Sequence, residues 1–505
     1  MSPIVILRAF AALSACAAAV AQAATFTVTT TADSGSGSLR DAVTGANAAA
    51  GADTIAFAIP GNAPHTITLA SALPAIGGTL VVDGYTQAGS AMNTRTPDDG
   101  GLDAVLAVEI TATGASVNGF VLQRDAVLTV QGIAMRGLQN AILGNTGNAD
   151  ASHLSVYGNF IGTTIDGAAA GTNGGCAVRA SRTKAIIGGV LPWQRNVLSG
   201  SACGVLLGDE GSVQGNLIGT DASGTLAIPN GQQGNWAGII IGGRRNVRIG
   251  GTDPAARNLI SGNQPWGIAI WPNFGTGSQA PIENVEVFGN YIGTDWSGTQ
   301  PLPNGFPSVA SAGFGGGIQV QLGGNAVAFP IGGFAAGEAN LIVWNRGAGI
   351  VAANQTSAHV DNRGNVIHYN RGLNHVNIDV AGDGRTANDA NDADTGPNNR
   401  QNFPEIVTAS LAGDQLTITY RVDTAAANAA YPLRIDFHDS FRGGSGDPIG
   451  QDSIALADAQ TERTVTFTVP PGARGIPFVA TATDANGYGS EFSPAYDVLF
   501  ADGFD

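Results

Sequence analysis

Two short runs near residue 370 carry the side chains best suited to acting on a sugar. His359, Asp361 and Arg363 alternate with Val360, and His375, Asn377 and Asp379 alternate with Val376 and Ile378. Residues two apart on a strand share a face, so each run would present its polar groups together. A base that removes a proton beside carboxylates that bind calcium could cleave a polysaccharide, by elimination or by hydrolysis. The same alternation is that of an ordinary solvated strand face. The expectation is therefore of no dedicated catalytic set, with His359, Asp361, Arg363, His375 and Asp379 as the alternative.

A second group could bind without reacting. All six Trp lie between residues 193 and 344. Trp236, Trp266, Trp271 and Trp296, with Tyr291, fall in or near recurring projections, and exposed aromatic faces stack on sugar rings at low entropy cost. The competing expectation is that these rings fold down over the outer walls. A third group is Asp383, Asp389, Asp392 and Asp394, in a polar stretch that starts at Asp379. Their carboxylates could hold a structural calcium ion, although Asp389-Ala-Asn-Asp392-Ala-Asp394 meets the calcium-loop pattern only in part and a solvated flexible linker is the default. No cofactor is required.

What would position these groups is a repeat. One phrase recurs as Asn216-LIGTDASGTLAIPNG, Asn290-YIGTDWSGTQPLPNG and Asn159-FIGTTIDGAAAGTNG; another as Arg195-Asn196-VLSGS, Arg257-Asn258-LISGN, Ala339-Asn340-LIVWN and Gly364-Asn365-VIHYN. The asparagines at 159, 196, 216, 258, 290, 340 and 365 are spaced by 37, 20, 42, 32, 50 and 25. A unit near 20 residues with variable insertions fits coils of short strands, not a helical repeat of fixed period. Each coil cannot bury its inward apolar face alone, so coils stack. Equivalent positions then lie over one another, and a stacked Asn can bond its amide to the next. The Asp and Thr of the IGTD phrases close turns on neighbouring amides. Cys176 and Cys203, in similar contexts, fall on adjacent coils within disulfide reach; two buried thiols are the alternative.

Composition agrees. Of 505 residues 73 are Gly, only 12% are charged and the net charge is −16, with Lys184 the single lysine. Such a chain disfavours nucleic acid and anionic membrane surfaces. Residues 1–23 read as a signal peptide, with Arg8, an apolar run and Ala21-Gln22-Ala23. Leu13-Ser14-Ala15-Cys16 offers the alternative of an outer-membrane lipoprotein through Cys16. No transmembrane segment follows.

The pattern closely resembles exported bacterial proteins with right-handed parallel β-helix repeats, whose fold is shared with pectate lyases. Thr25-FTVTTTADSGSGSLRDAVTGANA resembles their CSLREA-type N-terminal segment, with Gly37 in place of the Cys and Arg40-Asp41 in place of Arg-Glu. TGPNNRQNFP and ATATDANGYGSEFS resemble their C-terminal module. Pectin hydrolases of this fold are similar to one another in an Asn-x-Asp segment, a pattern that Asn377-Ile378-Asp379 meets, and in a Gly-His-Gly segment that is absent. P-loop, GxSxG and HExxH motifs are also absent.

The expected architecture is all-β: a cap with a short helix over Ser38 to Ala50 and first coils in 24–100, a right-handed parallel β-helix over 101–380, an Asp/Asn-rich connector over 381–403, an antiparallel Ig-like β-sandwich over 404–498 and a tail over 499–505. The expected role is that of a secreted or cell-surface protein presenting a face to an extracellular polysaccharide or cell-surface glycan. A polysaccharide lyase or glycoside hydrolase is the alternative, and an inert spacer a third reading.

Overall fold

The computed structural model describes residues 22–114, 116–144, 152–232, 236–242, 245–271, 283–307, 315–321, 329–353, 360–371, 376–441, 444–469 and 477–500. Three parallel sheets of nine, ten and nine strands, counted over the described residues, are drawn from 25–288, 65–368 and 120–381. Each coil adds one strand to each sheet in turn. A representative coil places Arg245–Gly250 in the first sheet, Leu259–Ile260 in the second and Trp266–Ile270 in the third. The first-sheet strands alternate: Val247 and Ile249 are fully buried in the core while Arg248 faces out. That is the period-two signature of a sheet with one solvated face.

Within the cylinder, one apolar core runs from Val28 to Val380, with Val and Ile stacked over Val and Ile. Buried asparagines at its corners bond to one another from coil to coil. Asn196 Nδ2 donates to Asn216 Oδ1 (2.8 Å), Asn258 to Asn290 (2.9 Å) and Asn340 to Asn365 (2.9 Å). Asn159–Asn196, Asn216–Asn258 and Asn290–Asn340 complete the chain of seven. A second ladder, on the other side of the two-residue strands, joins Asn230, Asn263, Asn304, Asn345, Asn370 and Asn377. Close approach of the coils at these corners needs Gly: at Gly250 (φ 77°) a Cβ would strike the Phe288 carbonyl and the Asn290 amide.

Both ends of the cylinder are closed. At the N-terminal end the helix Leu39–Ala48 buries Leu39, Ala42, Val43 and Ala46 on the core, and the Ser38 hydroxyl accepts from the Asp41 amide at its start. At the C-terminal end the antiparallel module does the closing. It consists of a four-stranded and a three-stranded sheet sharing a core, with Tyr420 packed edge-on to Phe437 at 5.2 Å. Val479 and Phe492 from this module belong to the cylinder's own core.

The last strands of the second and third sheets, and of the two-stranded sheet Phe329–Pro330/Val360–Asp361 that continues the first, are each met by one side chain. Asn398 exchanges bonds with the Val360 backbone (2.7 and 2.9 Å), Ser445 Oγ accepts from the Ile367 amide (3.0 Å) and Glu491 accepts from the Val380 amide (2.9 Å). Exposed strand edges invite further pairing, and this arrangement blunts all three. Two expectations are corrected here. The connector is an ordered part of the junction, with Asp392, Asn398 and Asn402 buried, rather than a flexible linker. Within the tail, Leu499–Phe500 is an edge strand paired with Ser410 and Leu411.

Candidate functional site: a groove on the first sheet

Outer-facing residues of the first sheet fall into columns because the register is unbroken. Ile186, Ser212, Arg248 and Glu286 are successive partners. Two positions before Ser212, Arg248 and Glu286, the residues Glu210, Asn246 and Asn284 all take the left-handed conformation (φ 58°, 55° and 53°), which Asn adopts more readily than most residues. Asn284 Nδ2 donates to Asn246 Oδ1 at 3.0 Å, so the column is tied along the axis. Together these residues line a groove of about 600 Å³, with Gln214 and half-exposed Ile186 also in its lining.

The groove's electrostatics are balanced. Lys184 pairs with Glu210, Arg248 with Glu286 (2.8 Å) and Arg245 with Asp209 (3.4 Å). Partly exposed pairs of this kind add only about 0–1 kcal/mol to stability. What they provide is a row of fixed hydrogen-bond donors and acceptors with little net charge, beside an apolar side chain.

The same column continues past Glu286. The Val287–Ile331 bridge sets Glu286 beside Pro330, and Pro330 is the register partner of Asp361. Here a smaller cavity of about 380 Å³ is lined by Phe288, Phe334, Glu338, Asp361 and Arg363. Arg363 is clamped on Asp361 by two bonds, and the Arg434 guanidinium of the sandwich lies 3.4 Å from the Phe334 ring centroid.

Residues singled out from sequence meet different fates. Asp361 and Arg363 do reach this face, but Asp379 belongs to the third sheet, opposite Val351, and its carboxylate accepts from the Gly384 amide. The coil turns between them, so the two halves of the catalytic alternative are not brought together. His359 and His375 lie outside the described residues. Asn377, which shares the Asp379 run, ends the second amide ladder. Burial pushes Asp379 up to about 6 and Glu491, next to it, up to about 8.

The aromatic set does not form one row. Trp266 is 2% exposed on the outer side of the third sheet, packed with Leu206, Ile240 and Ala269, with Trp236 and Trp271 against the same cluster. Trp271 Nε1 donates to Gln319 (2.9 Å). Trp296 and Tyr291 lie on the second sheet instead. The IGTD loops stack there as expected, Asp221 Oδ1 accepting from Thr225 and Leu226 and Asp295 from Thr299 and Gln300. A column of Phe160, Val197, Leu217, Leu259 and Tyr291 needs cover, which Trp296 and a strap carrying Leu102 and Leu106 supply. Arg257 adds to it, 4.3 Å over the Tyr291 ring and bonded to Asp98 at 2.6 Å. Apolar outer columns must be roofed, and the large rings are the roof.

The third sheet also holds a disulfide between Cys176 and Cys203, register partners with Cα atoms 4.4 Å apart. In the connector, carboxylate oxygens of Asp389, Asp392 and Asp394 lie within 4.8 Å of one another. Asp392 accepts from Gln401, Thr424 and the Asn402 amide, and burial pushes it up to about 7. Asp383 is not in this group; it pairs with Arg400 at 3.2 Å.

Sequence reasoning passed over Ser212, Arg248 and Glu286, since single polar residues in strands that differ from coil to coil leave no motif. The faint signal was one polar residue at the centre of each apolar strand. No protein-family profile and no curated protein matches the chain. Among the described residues no helix is long and apolar enough to cross a membrane.

Proposed function

We propose that this is an exported β-helix protein of the secreted or surface type, and that the groove along its first sheet binds an extracellular polysaccharide of neutral sugars without cleaving it. The observation that carries this reading is the column Ile186, Ser212, Arg248, Glu286, where each charged group has an opposite partner and an apolar residue lies alongside. Fixed polar groups beside apolar surface suit a hydroxyl-rich ligand. A polyuronate would need unpaired cations, and Lys184, Arg245 and Arg248 are all engaged. The resemblance to exported bacterial repeat proteins supplies the export, whether through cleavage after Ala23 or anchoring through Cys16.

A lyase or hydrolase is disfavoured because Glu210, Glu286 and Asp361 each rest against a cation, an arrangement that suits positioning better than proton transfer. As a further part of this reading, Asp389, Asp392 and Asp394 hold a structural calcium ion. Supporting it, Asp394 Oδ1 is buried without a hydrogen-bond partner, a costly state that a cation would relieve.

The test is a glycan array read with the wild type and with the Arg248→Ala/Glu286→Ala variant. Neutral glycans retained by the first and lost by the second support the reading, whereas equal retention defeats it. Ultraviolet absorbance of unsaturated products, or new reducing ends, would replace it with the enzyme. Calcium is tested separately: it should raise Tm, and not in Asp392→Asn.

A further inference from the structure

Three corner loops that follow the first sheet are built alike, and one of them carries a charge that the build does not need. Each opens on Ile-Gly-Gly, at Ile187, Ile249 and Ile331, and the fifth residue after the second Gly is Gln194, Ala256 and Glu338 in turn. A Cβ at Gly189 would strike the Gln194 amide, and one at Gly333 the Glu338 carboxylate. Gln194 Oε1 accepts from the Leu191 amide at 3.1 Å, and Glu338 Oε2 accepts from the Ala335 amide at 3.0 Å. An uncharged amide thus makes the same turn bond as the carboxylate, and the middle loop manages with Ala256. The negative charge at Glu338 has no part in closing the loop.

That charge lines the cavity of about 380 Å³, together with Phe288 and Phe334. Its neighbours do not cancel it. Asp361 in the same lining is clamped by Arg363, and Arg434 is held by Asp436 at 2.9 Å. Among the described residues no Lys, Arg or His comes within ion-pair reach of Glu338, whose one bond is to the Ala335 amide. Arg434 and Arg363 stand 3.4 and 6.0 Å from the Phe334 ring centroid. The ring is nevertheless 45% exposed, so aromatic surface is left for a ligand.

From this we infer that the cavity binds a small organic ammonium group, either the charged amine of an amino sugar or a quaternary ammonium. Glu338 is its counter-ion and Phe288 and Phe334 are its aromatic lining. A carboxylate and aromatic faces both attract such a cation, and neither attracts an anion. A calcium ion would need six or more oxygens, roughly, and Glu338 is the one carboxylate in the lining without a cation beside it. This site stands apart from the groove and does not rest on the reading of it.

The test is calorimetric titration of the full chain with choline, glucosamine, glucose and glucuronate at about pH 6, where the amine is charged. Choline or glucosamine should bind, and the tighter of the two identifies the source the site takes. Glucosamine and glucose differ by an ammonium in place of a hydroxyl, so a glucose signal belongs to this cavity only if Glu338→Gln reduces it. Glu338→Gln should weaken the cation roughly tenfold or more with Tm unchanged, because Gln194 already shows the amide making the turn bond. Phe334→Leu, which keeps apolar bulk and removes the π face, should weaken choline several-fold. Retained affinity in both variants overturns the assignment to this cavity. Glucose or glucuronate binding that Glu338→Gln reduces as much as it does glucosamine overturns the selection for positive charge. Failure of both cations to bind overturns the site and leaves the groove untouched.

Discussion

The first and third sheets are built by the same coils at the same rise, yet their outer faces could hardly differ more. The first carries Ser212, Arg248 and Glu286 over a groove, held by ion pairs in solvent. The third carries Leu206, Ile240 and Ala269 beneath a buried Trp266, stapled by Cys176–Cys203. A residue type that reads as a binding surface in sequence serves here as cover, and residues that read as ordinary strand filler make the groove. Aromatic side chains are the largest apolar surfaces available, so they go first to whatever column most needs burying.

Substitutions on the two faces should separate stability from binding. Trp266→Ala is expected to cost most, about 3–5 kcal/mol by denaturant unfolding, with glycan affinity unchanged in the folded fraction. A small cost with lost affinity would move the binding surface to the third sheet. Cys203→Ser should lower stability by about 3 kcal/mol, since the bond closes a loop of sequence separation 27; reductant should do the same to the wild type and nothing to the variant. Asn258→Ala, in the ladder common to all faces, should cost about 1–3 kcal/mol through the partners left unsatisfied on adjacent coils.

A pH effect comes next. Glu491 and Asp379, raised by burial to about 8 and 6, keep protons in the folded state that the unfolded chain has already released. Their contribution is complete below about pH 4, the ordinary carboxyl value, and is lost as pH rises, up to about 6 for Asp379 and about 8 for Glu491, so the fall between pH 6.5 and about 8 belongs to Glu491. Buried His438 and half-buried His368, lowered to about 4 by desolvation, act oppositely but only below about pH 6.5, the ordinary His value. Melting scans should show a drop of roughly a few °C across that window, reduced in Glu491→Gln. Smallest is Arg248→Ala, expected to change stability by less than about 1 kcal/mol while glycan affinity falls. A large loss of stability there would make the groove's ion pairs structural and blunt the contrast between the faces.

Much of the scaffold was legible in the chain. The seven asparagines picked out by phrase are one hydrogen-bonded ladder, because a buried amide tolerates few partners other than its own copy a coil away. The capping helix and the turn-closing Asp221 and Asp295 were legible for the same local reason. The second ladder escaped notice although its signal was present: Asn263, Asn345 and Asn370 each follow a first-ladder asparagine by five residues. Asp361 and Asp379 looked alike in sequence, and only the path of the coil sends them to different sheets.

By itself, then, the sequence determined that the chain winds into stacked coils of short strands with amides and branched apolar side chains repeated in place, since those preferences act within a coil and between neighbours. Only the tertiary structure decided which outer face is roofed and which is open, and that the terminal module seals the core. Those outcomes depend on contacts such as Arg434 with Phe334 and Glu491 with Val380, between residues about a hundred positions apart. No local pattern can encode such contacts, because either partner alone is an ordinary surface residue until packing brings the other to it.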